Sequence, residues 1–487
     1  MGTKVTKDRF TSQDFVTFKQ RLNHQLYRLK DVLNQKGFSN GDASFGAELE
    51  LYLFDKSYEP SSTSEAVLKH LDPDIFTEEI NQYNLEINLP PESALDTPFT
   101  KMHNSLLAHW ATLANEGRKN ASQLAAIGIL PTLKKKHLTL AHMTKMPRYS
   151  ALNNELSKHH AHSFKVDINA IESLKFDSNE VTLEGANTSF QVHFKVPGDD
   201  FVNLYNAAQL TTPLVLAASA NSPFMLGKKL WHETRIALFK QSIDNRVKAL
   251  KNWRQPARVN FGHGWLRENA WELFAESVSL YPPLLPVVDE DDKPYAELML
   301  HHGTIWTWNR AVFDASGKGH LRIEYRSLPA GPTAVDMLAN AAFAIGLTKG
   351  LSESVNEYMV KLPFQYAEYN FYRAAKKGLD ADIVWPSIQQ HELEEKPIKH
   401  LILQMIPIAF EGLVSLGVNK DEASYYLNII EQRVIRMQNG AYWQLNQLDT
   451  LEKKGLGREH ALASMMEAYL SNMRADTPVS EWKYNPP

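Results

Sequence analysis

Four short segments of this chain place acidic, basic and imidazole side chains at every second position. In a strand, residues i and i+2 share a face. FGAELELYLF sets Glu48, Glu50 and Tyr52 against Ala47, Leu49, Leu51 and Leu53. NLEINLP sets Asn84, Glu86 and Asn88 against Leu85, Ile87 and Leu89. SFQVHFKV sets Gln191, His193 and Lys195 against Phe190, Val192, Phe194 and Val196. HLRIEYRSL sets Arg322, Glu324 and Arg326 against Leu321, Ile323 and Tyr325. Any one of these strands is explained by a sheet with a solvated face. Together the polar positions hold four glutamates, one histidine and two arginines and no serine or threonine, which a merely soluble face does not require.

Carboxylates brought together repel unless cations neutralise them. Oxygen-rich donor sets of this kind suit hard divalent ions such as Mg2+ or Mn2+, and one histidine is compatible with either. Arginines on the same face would repel bare cations, so an anion must lie between. A polyphosphate fits, with metals bridging its oxygens and arginine gripping it through paired donors. The pattern therefore points to phosphoryl transfer from a nucleotide. Neither MLGKKL nor ASGKGH has the spacing of a phosphate-binding P-loop, so the nucleotide would be held by a sheet face and metals.

The elements that position these residues alternate irregularly. An amphipathic helix is expected over 12–34, with Ser12 as its cap and Phe15, Phe18, Leu22, Leu26 and Leu29 at helical spacing. The second strand is expected to stop at Pro90-Pro91, and a helix to run from Thr100 to Ala126. Residues 131–164 read as basic and irregular, and Val181–Glu184 as strand-like. Helices are expected over 202–219 and through Arg235. The strand ending at Leu328 is the last clear one, and almost everything beyond Pro332 reads as helix, with Pro363, Pro386, Pro397, Pro407 and Gly417 as candidate breaks. This is an α+β pattern without regular β-α-β alternation. It divides into a helical segment 1–40, a sheet-bearing catalytic region 41–332, and a helical part 333–487 packed on the same catalytic domain.

Bulk properties narrow the function. A net charge of -4 argues against a nucleic-acid binder or a membrane-surface protein. The chain has no cysteine, which excludes disulfides, thiolate metal sites and a cysteine nucleophile and fits a reducing compartment. The first residues lack the apolar core of a signal peptide, and no stretch reads as a membrane span, so a cytoplasmic enzyme is expected.

GAELELYL, LEINLPP, SFQVHFKV, ANSPFMLG with Arg235 shortly after, and RIEYRSLPAGPT follow one another in the order seen in the glutamate–cysteine ligase family. The chain resembles the second, bacterial and plant-like group of that family, which is related in fold to glutamine synthetase. The similarity spans roughly residues 45–350, and KMPRYSALN at 145–153 also resembles a family segment. It implies a glutamine synthetase-like antiparallel sheet with the active site on one face, helices on the other, and a helical C-terminal third.

The resemblance also implies roles. Glu48, His193 and Glu324 would hold the metal at the nucleotide phosphates, and Glu50 with Glu86 the substrate-side metal, whose third carboxylate has no sequence candidate. Two or more Mg2+ or Mn2+ ions per site are implied, with ATP as co-substrate. Arg326 matches the arginine at the transferring phosphate, with Arg322 and Lys195 beside it. Arg235 is implied for the carboxylate of the amino-acid substrate, with Gln191, Asn221 and Ser222 as further substrate-side candidates. The implied activity couples glutamate to cysteine through a γ-glutamyl phosphate, as in glutathione-type thiol biosynthesis. SLPAGPT departs from other branches of the family at the amine-binding part, which keeps another amine acceptor open. A guanidino-type kinase shares the broad sheet architecture but its reactive cysteine cannot exist here. A catalytically inactive nucleotide-binding relative is opposed by the intact Glu48, Glu50, Glu86, His193, Glu324 and Arg326. Small molecules are the expected partners, and the oligomeric state is left open.

Several conspicuous residues have simpler explanations. His159, His160 and His162 lack partners at ligand spacing, and the acidic run 289–292 lacks calcium-loop spacing. Lys134–Lys136 reads as a surface run. Trp306, Trp308, His301, His302, Tyr442 and Trp443 read as packing. Arg310 is a secondary candidate for phosphate.

Overall fold

The computed structural model describes residues 5–158, 163–244, 246, 255–289, 291, 293–387 and 392–484. The histidines at 159, 160 and 162, and Glu290 and Asp292 of the acidic run, lie outside the described residues.

The elements that frame the site follow one another as α1 (Ser12–Leu33), β1 (Ser44–Phe54), β2 (Phe76–Glu78), β3 (Asn84–Ser93), α2 (Pro98–Lys119), β4 (Gln123–Ala125), α3 (Pro147–Lys158), β5 (Phe190–Val196), α4 (Phe201–Ser219), α5 (Thr234–Ser242), β6 (Asn309–Asp314), β7 (His320–Tyr325), α6 (Ala334–Ser352) and α7 (Ile398–Ser415). One antiparallel sheet runs β6-β7-β5-β1-β3-β2, with the short β4 pairing the end of β1. The alternation predicted for the four site-bearing strands holds. Leu49, Leu51, Leu85, Ile87, Phe190, Val192, Phe194 and Ile323 are fully buried on one face. Helix α2 packs on β3, and α6 packs against α2, α4 and α7, so the apolar face is covered by helices. Burying each large apolar side chain is worth about 1.5–3 kcal/mol, which fixes the register and turns the polar positions to the other side.

Some boundaries differ from expectation for local reasons. Thr11, not Ser12, caps α1, and it forms a capping box with Asp14. Strand β3 does not stop at Pro90-Pro91 but continues to Ser93. The register slips there, from Ala47 opposite Leu89 to Phe45 opposite Glu92, so the two donor-less prolines sit in an irregularity that spares the ladder. Helix α2 ends at Lys119, followed by Ala121 at φ 54, and the chain re-enters the sheet as β4 instead of remaining helical to 126. Residues Val181–Ala186 form a 3₁₀ helix, not a strand. The basic stretch contains α3, and Asn309–Asp314 forms β6, a strand beyond the four expected from the alternation. A later hairpin, Asp382–Pro386 with Leu393–Pro397, means that β7 is not the last strand. Pro363 and Pro397 precede helices and Pro386 ends a strand, whereas Pro407 lies inside α7. Among the described residues only α7 is long and apolar enough to cross a membrane, and it packs against α6.

Candidate active site

The polar face of β1, β3, β5 and β7 converges on two ligand sets. Register places Glu324 opposite His193, Glu48 opposite Gln191, and Glu50 opposite Glu86. One ligand atom each from Glu48, His193 and Glu324 lie within 4.8 Å of one another. The same holds for Glu50, Glu79 and Glu86. Glu79 completes this second cluster, for which the sequence offered no third carboxylate. It follows β2 in the turn FTEEI, where no two-residue alternation marks it, and only the adjacent pair Glu78-Glu79 hints at it.

The first set is arranged for a cation. His193 Nε2 stands 3.2 Å from Glu48 and 3.8 Å from Glu324. Nε2 thus faces both carboxylates without a well-formed hydrogen bond, and the buried Nδ1 has no hydrogen-bond partner among the described residues. Unpaired buried imidazole nitrogens are costly and are relieved by a ligand. Burial works against ionisation of Glu324, but Arg310, Arg326 and His193 outweigh it and hold the carboxyl far below the usual range. Burial likewise opposes ionisation of Glu48, yet His193 keeps it below its ordinary value. Both acids are therefore charged and ready to ligate.

The second set is strained without a cation. Burial pushes Glu86 up to about 8, with Glu48 and Glu50 adding repulsion. Burial and the neighbouring Glu86 and Glu50 raise Glu79 well above the carboxylate range. Glu50 is also raised by burial, although Arg326 and the donors from Ser189 counter it. A divalent ion would replace this mutual repulsion with attraction, so the oxygen-only donors fit Mg2+ or Mn2+.

The side chains between the sets are held in place. Ser189 donates to Glu50 from its amide at 2.7 Å and its hydroxyl at 2.9 Å. Gln191 Nε2 donates to Glu50 at 3.0 Å while its carbonyl accepts from Arg326 Nη1. Arg326 also stands 3.3 Å from Glu324, so it spans the gap between the two sets. Burial disfavours its charge, but Glu324, Glu50 and Glu48 raise it further above its ordinary value. Arg310 forks Glu324 from β6, Nε at 2.6 Å and Nη2 at 2.9 Å. Arg310 is thus a neighbour of a candidate metal ligand. Thr77 donates to Glu86 at 2.9 Å. Tyr149 of α3, inside the KMPRYSALN segment, donates to the Glu78 carbonyl at 3.1 Å and lies in the field of Glu79, Glu86 and Glu184.

The remaining sequence candidates divide. Arg322 and Lys195 face each other in the next row of the register, and the Arg322 Nε is buried without a partner. Arg235 begins α5, 2% exposed. Its Nη2 donates to the Ser327 carbonyl at 2.8 Å and its Nε stands 3.3 Å from Glu233. Asn221 is fully buried, donating to the Ala330 carbonyl and the Tyr469 hydroxyl and accepting from Gln444. Ser222 accepts from the Arg235 amide at 3.4 Å. Both build the wall behind Arg235, and the amide of Asn221 is fully buried with both of its donors used within the fold.

Residues given simpler explanations mostly keep them. Lys134 and Lys136 pair with Glu59 at the surface. His301 and His302 are buried against Ser277 and the Ala311 carbonyl. Trp308 packs between Phe239 and Phe371, and Trp443 between Tyr469 and Trp482. Tyr442 lies edge-on to His232.

An antiparallel sheet whose polar face carries two acidic clusters, with Arg326 between them, is a site suited to binding divalent cations and a phosphate-bearing substrate. The glutamate-cysteine ligase family 2 (GCS2) matches residues 44–434, and the chain belongs to that family. Its activity is therefore ATP-dependent C–N ligation of the glutamate–cysteine ligase type. No curated protein matches by sequence. Among solved structures, the fold is similar to a glutamate–cysteine ligase from Francisella tularensis in complex with AMP, with 9% identity, 90% of each chain covered and a TM-score of 0.53. A bifunctional glutathione synthetase from Pasteurella multocida shares 10% identity with a TM-score of 0.44, over 92% of this chain and 55% of that one.

Proposed function

We propose that the polar sheet face activates the γ-carboxylate of glutamate with ATP and passes it to the amine of cysteine. The observation that carries this is the pair of ligand sets joined by Arg326 and Gln191. Glu48, His193 and Glu324 would hold one divalent cation at the nucleotide phosphates, and Glu50, Glu79 and Glu86 a second beside the acid. When bound, such cations neutralise phosphate and polarise the transferred group. Arg326 stands between the sets, where its fixed charge stabilises the phosphoryl group in flight. Arg322 and Lys195 extend the cationic strip toward the nucleotide. Gln191 fixes Arg326 relative to Glu50. Arg235 is assigned to the α-carboxylate of glutamate, with Ser222 positioning it.

The acid oxygen attacks the γ-phosphorus, ADP leaves, and the amine nitrogen then displaces phosphate from the acyl carbon, losing a proton. No covalent enzyme intermediate is required, so a cysteine-free chain suffices, and such a chain suits a reducing cytoplasm where the thiol substrate stays reduced. The test is incubation with ATP, Mg2+, L-glutamate and a panel of amines while ADP, phosphate and amide are followed. Phosphate release that needs both glutamate and an amine, with cysteine the best amine, is expected. A stable phosphorylated product, or no turnover with any amine, would sink the proposal.

A further inference from the structure

The helices that cover the apolar face of the sheet do not close completely. Between α2, the start of α6 and the end of the helix Arg458–Arg474 lies a cavity of about 280 Å³. Clefts that take small organic ligands begin at about 300 Å³. Helix α2 supplies Leu106, Trp110 and Ala114 at intervals of four residues, which share one face of a helix. Met337 of α6 and Met473 of the last helix close the other sides. The gap follows from residue size, because Ala111, Ala114, Ala126 and Ala334 line it and none of them reaches across. Trp110 is half-buried and has no aromatic partner among the described residues. An indole with a free face and two thioethers suit a flat aromatic body, through ring–ring and sulfur–ring contacts.

The charges at the cavity are unbalanced. Arg118, Arg474 and Asp476 line it. Asp476 is spent within the fold, since one oxygen pairs with His103 Nε2 at 2.6 Å and the other accepts the Val335 amide at 3.1 Å. The two arginines are exposed, and neither is in an ion pair among the described residues. Arg474 donates to the neutral Gln123 side chain at 2.6 Å, and Arg118, four residues beyond Ala114, continues the same ridge of α2 without a partner for its guanidinium among those residues. Two uncompensated cations beside an apolar body are complementary to a ligand that carries one negative charge at its edge.

We propose that this cavity binds an aromatic monocarboxylate, with its ring among Trp110, Met337 and Met473 and its carboxylate on Arg118 and Arg474. The site lies among the helices and shares none of the residues of the two ligand sets, so its ligand is neither the nucleotide nor the acid that those sets serve.

The test is titration calorimetry on the full-length enzyme with 2-naphthoate and its neutral counterpart 2-naphthamide. One naphthoate per chain is expected, bound about fivefold or more tightly than the amide, the scale of two exposed ion pairs. Saturating MgATP and L-glutamate should leave its affinity unchanged. Replacing both arginines, Arg118→Ala with Arg474→Ala, should bring naphthoate down to the level of the amide with Tm unaltered, because both side chains are exposed. Ala114→Phe, which fills the cavity, should abolish binding of both compounds; if it lowers the Tm, the arginine pair decides alone. Absence of saturable naphthoate binding overturns the proposal. So do equal affinities for the two compounds, unchanged naphthoate affinity in the double arginine variant, or displacement by MgATP or L-glutamate, which would place the ligand on the polar sheet face.

Discussion

Arg310 offers the sharpest test of how the phosphate-side set is built. Its fork reaches Glu324 with Nε at 2.6 Å and Nη2 at 2.9 Å, and Glu324 is 2% exposed. A carboxylate has about four lone-pair sites. Arg310 takes two, which leaves Glu324 able to ligate a cation while held in one orientation. In Arg310→Ala the acid keeps Arg326 at 3.3 Å, so it is not stranded and the sheet should still fold. What disappears is the fork that aims it. A hydrogen bond to a charged group contributes about 1.5–3 kcal/mol, equivalent to about 10- to 150-fold in an equilibrium constant. Loss of an outer partner of a metal ligand costs about 10- to 100-fold in affinity. The two estimates agree, and Arg310→Lys, which keeps the charge without the planar fork, should fall between. Mn2+ binding followed by electron paramagnetic resonance without nucleotide reads the effect directly, and kcat/KM for MgATP reads its consequence. If Mn2+ affinity and kcat/KM both stay within about twofold, the positioning argument is wrong. If only KM for MgATP rises, Arg310 acts on the phosphates and not through Glu324.

Arg326→Ala should lower turnover by about 10²–10³-fold, the scale for removing one preorganised transition-state donor, while circular dichroism stays unchanged; near-normal turnover would remove Arg326 from the reaction centre. Glu79→Gln should abolish binding of one of two Mn2+ ions, counted by titration calorimetry, and raise the Tm of the metal-free enzyme at alkaline pH, where Glu79 would otherwise ionise beside Glu86 and Glu50; retention of both ions would exclude Glu79 as a ligand. The pH dependence follows from Glu50, Glu79 and Glu86, all raised in the folded metal-free protein, Glu86 to about 8. A raised acid favours the folded state in its protonated form, so metal-free stability declines as pH rises from the unfolded value toward 8. Metal binding displaces those protons. The Tm gain produced by Mg2+ should therefore grow between pH 6 and pH 8.5, and a gain that shrinks over this range would contradict the assignment.

What could be read from the chain depended on whether a residue's neighbours in sequence were also its guides in space. Glu48, Glu50, Glu86, His193 and Glu324 each lie in a strand whose alternate residues are pressed into the core, so the buried Leu, Ile, Val and Phe positions dictate the direction of the acids. Arg326 continues the alternation of β7 by two residues and donates its amide to the Trp308 carbonyl, which extends the same rule past the end of the strand. Glu79 follows no such rule. It sits in a turn, and its placement depends on contacts between segments about a hundred residues apart, such as Asn81 donating to the Thr182 carbonyl at 3.0 Å. Arg310 was visible as a cation but not as a partner, because β6 went unrecognised and only the register of β6 on β7 sets it opposite Glu324. Asn221 shows the opposite failure. It stands in a segment that carries the family resemblance, yet its side chain joins the Ala330 carbonyl, Tyr469 and Gln444 across four parts of the chain. Motif membership marks a residue as constrained, whereas free hydrogen-bonding capacity separates a residue that serves the fold from one that can meet a substrate.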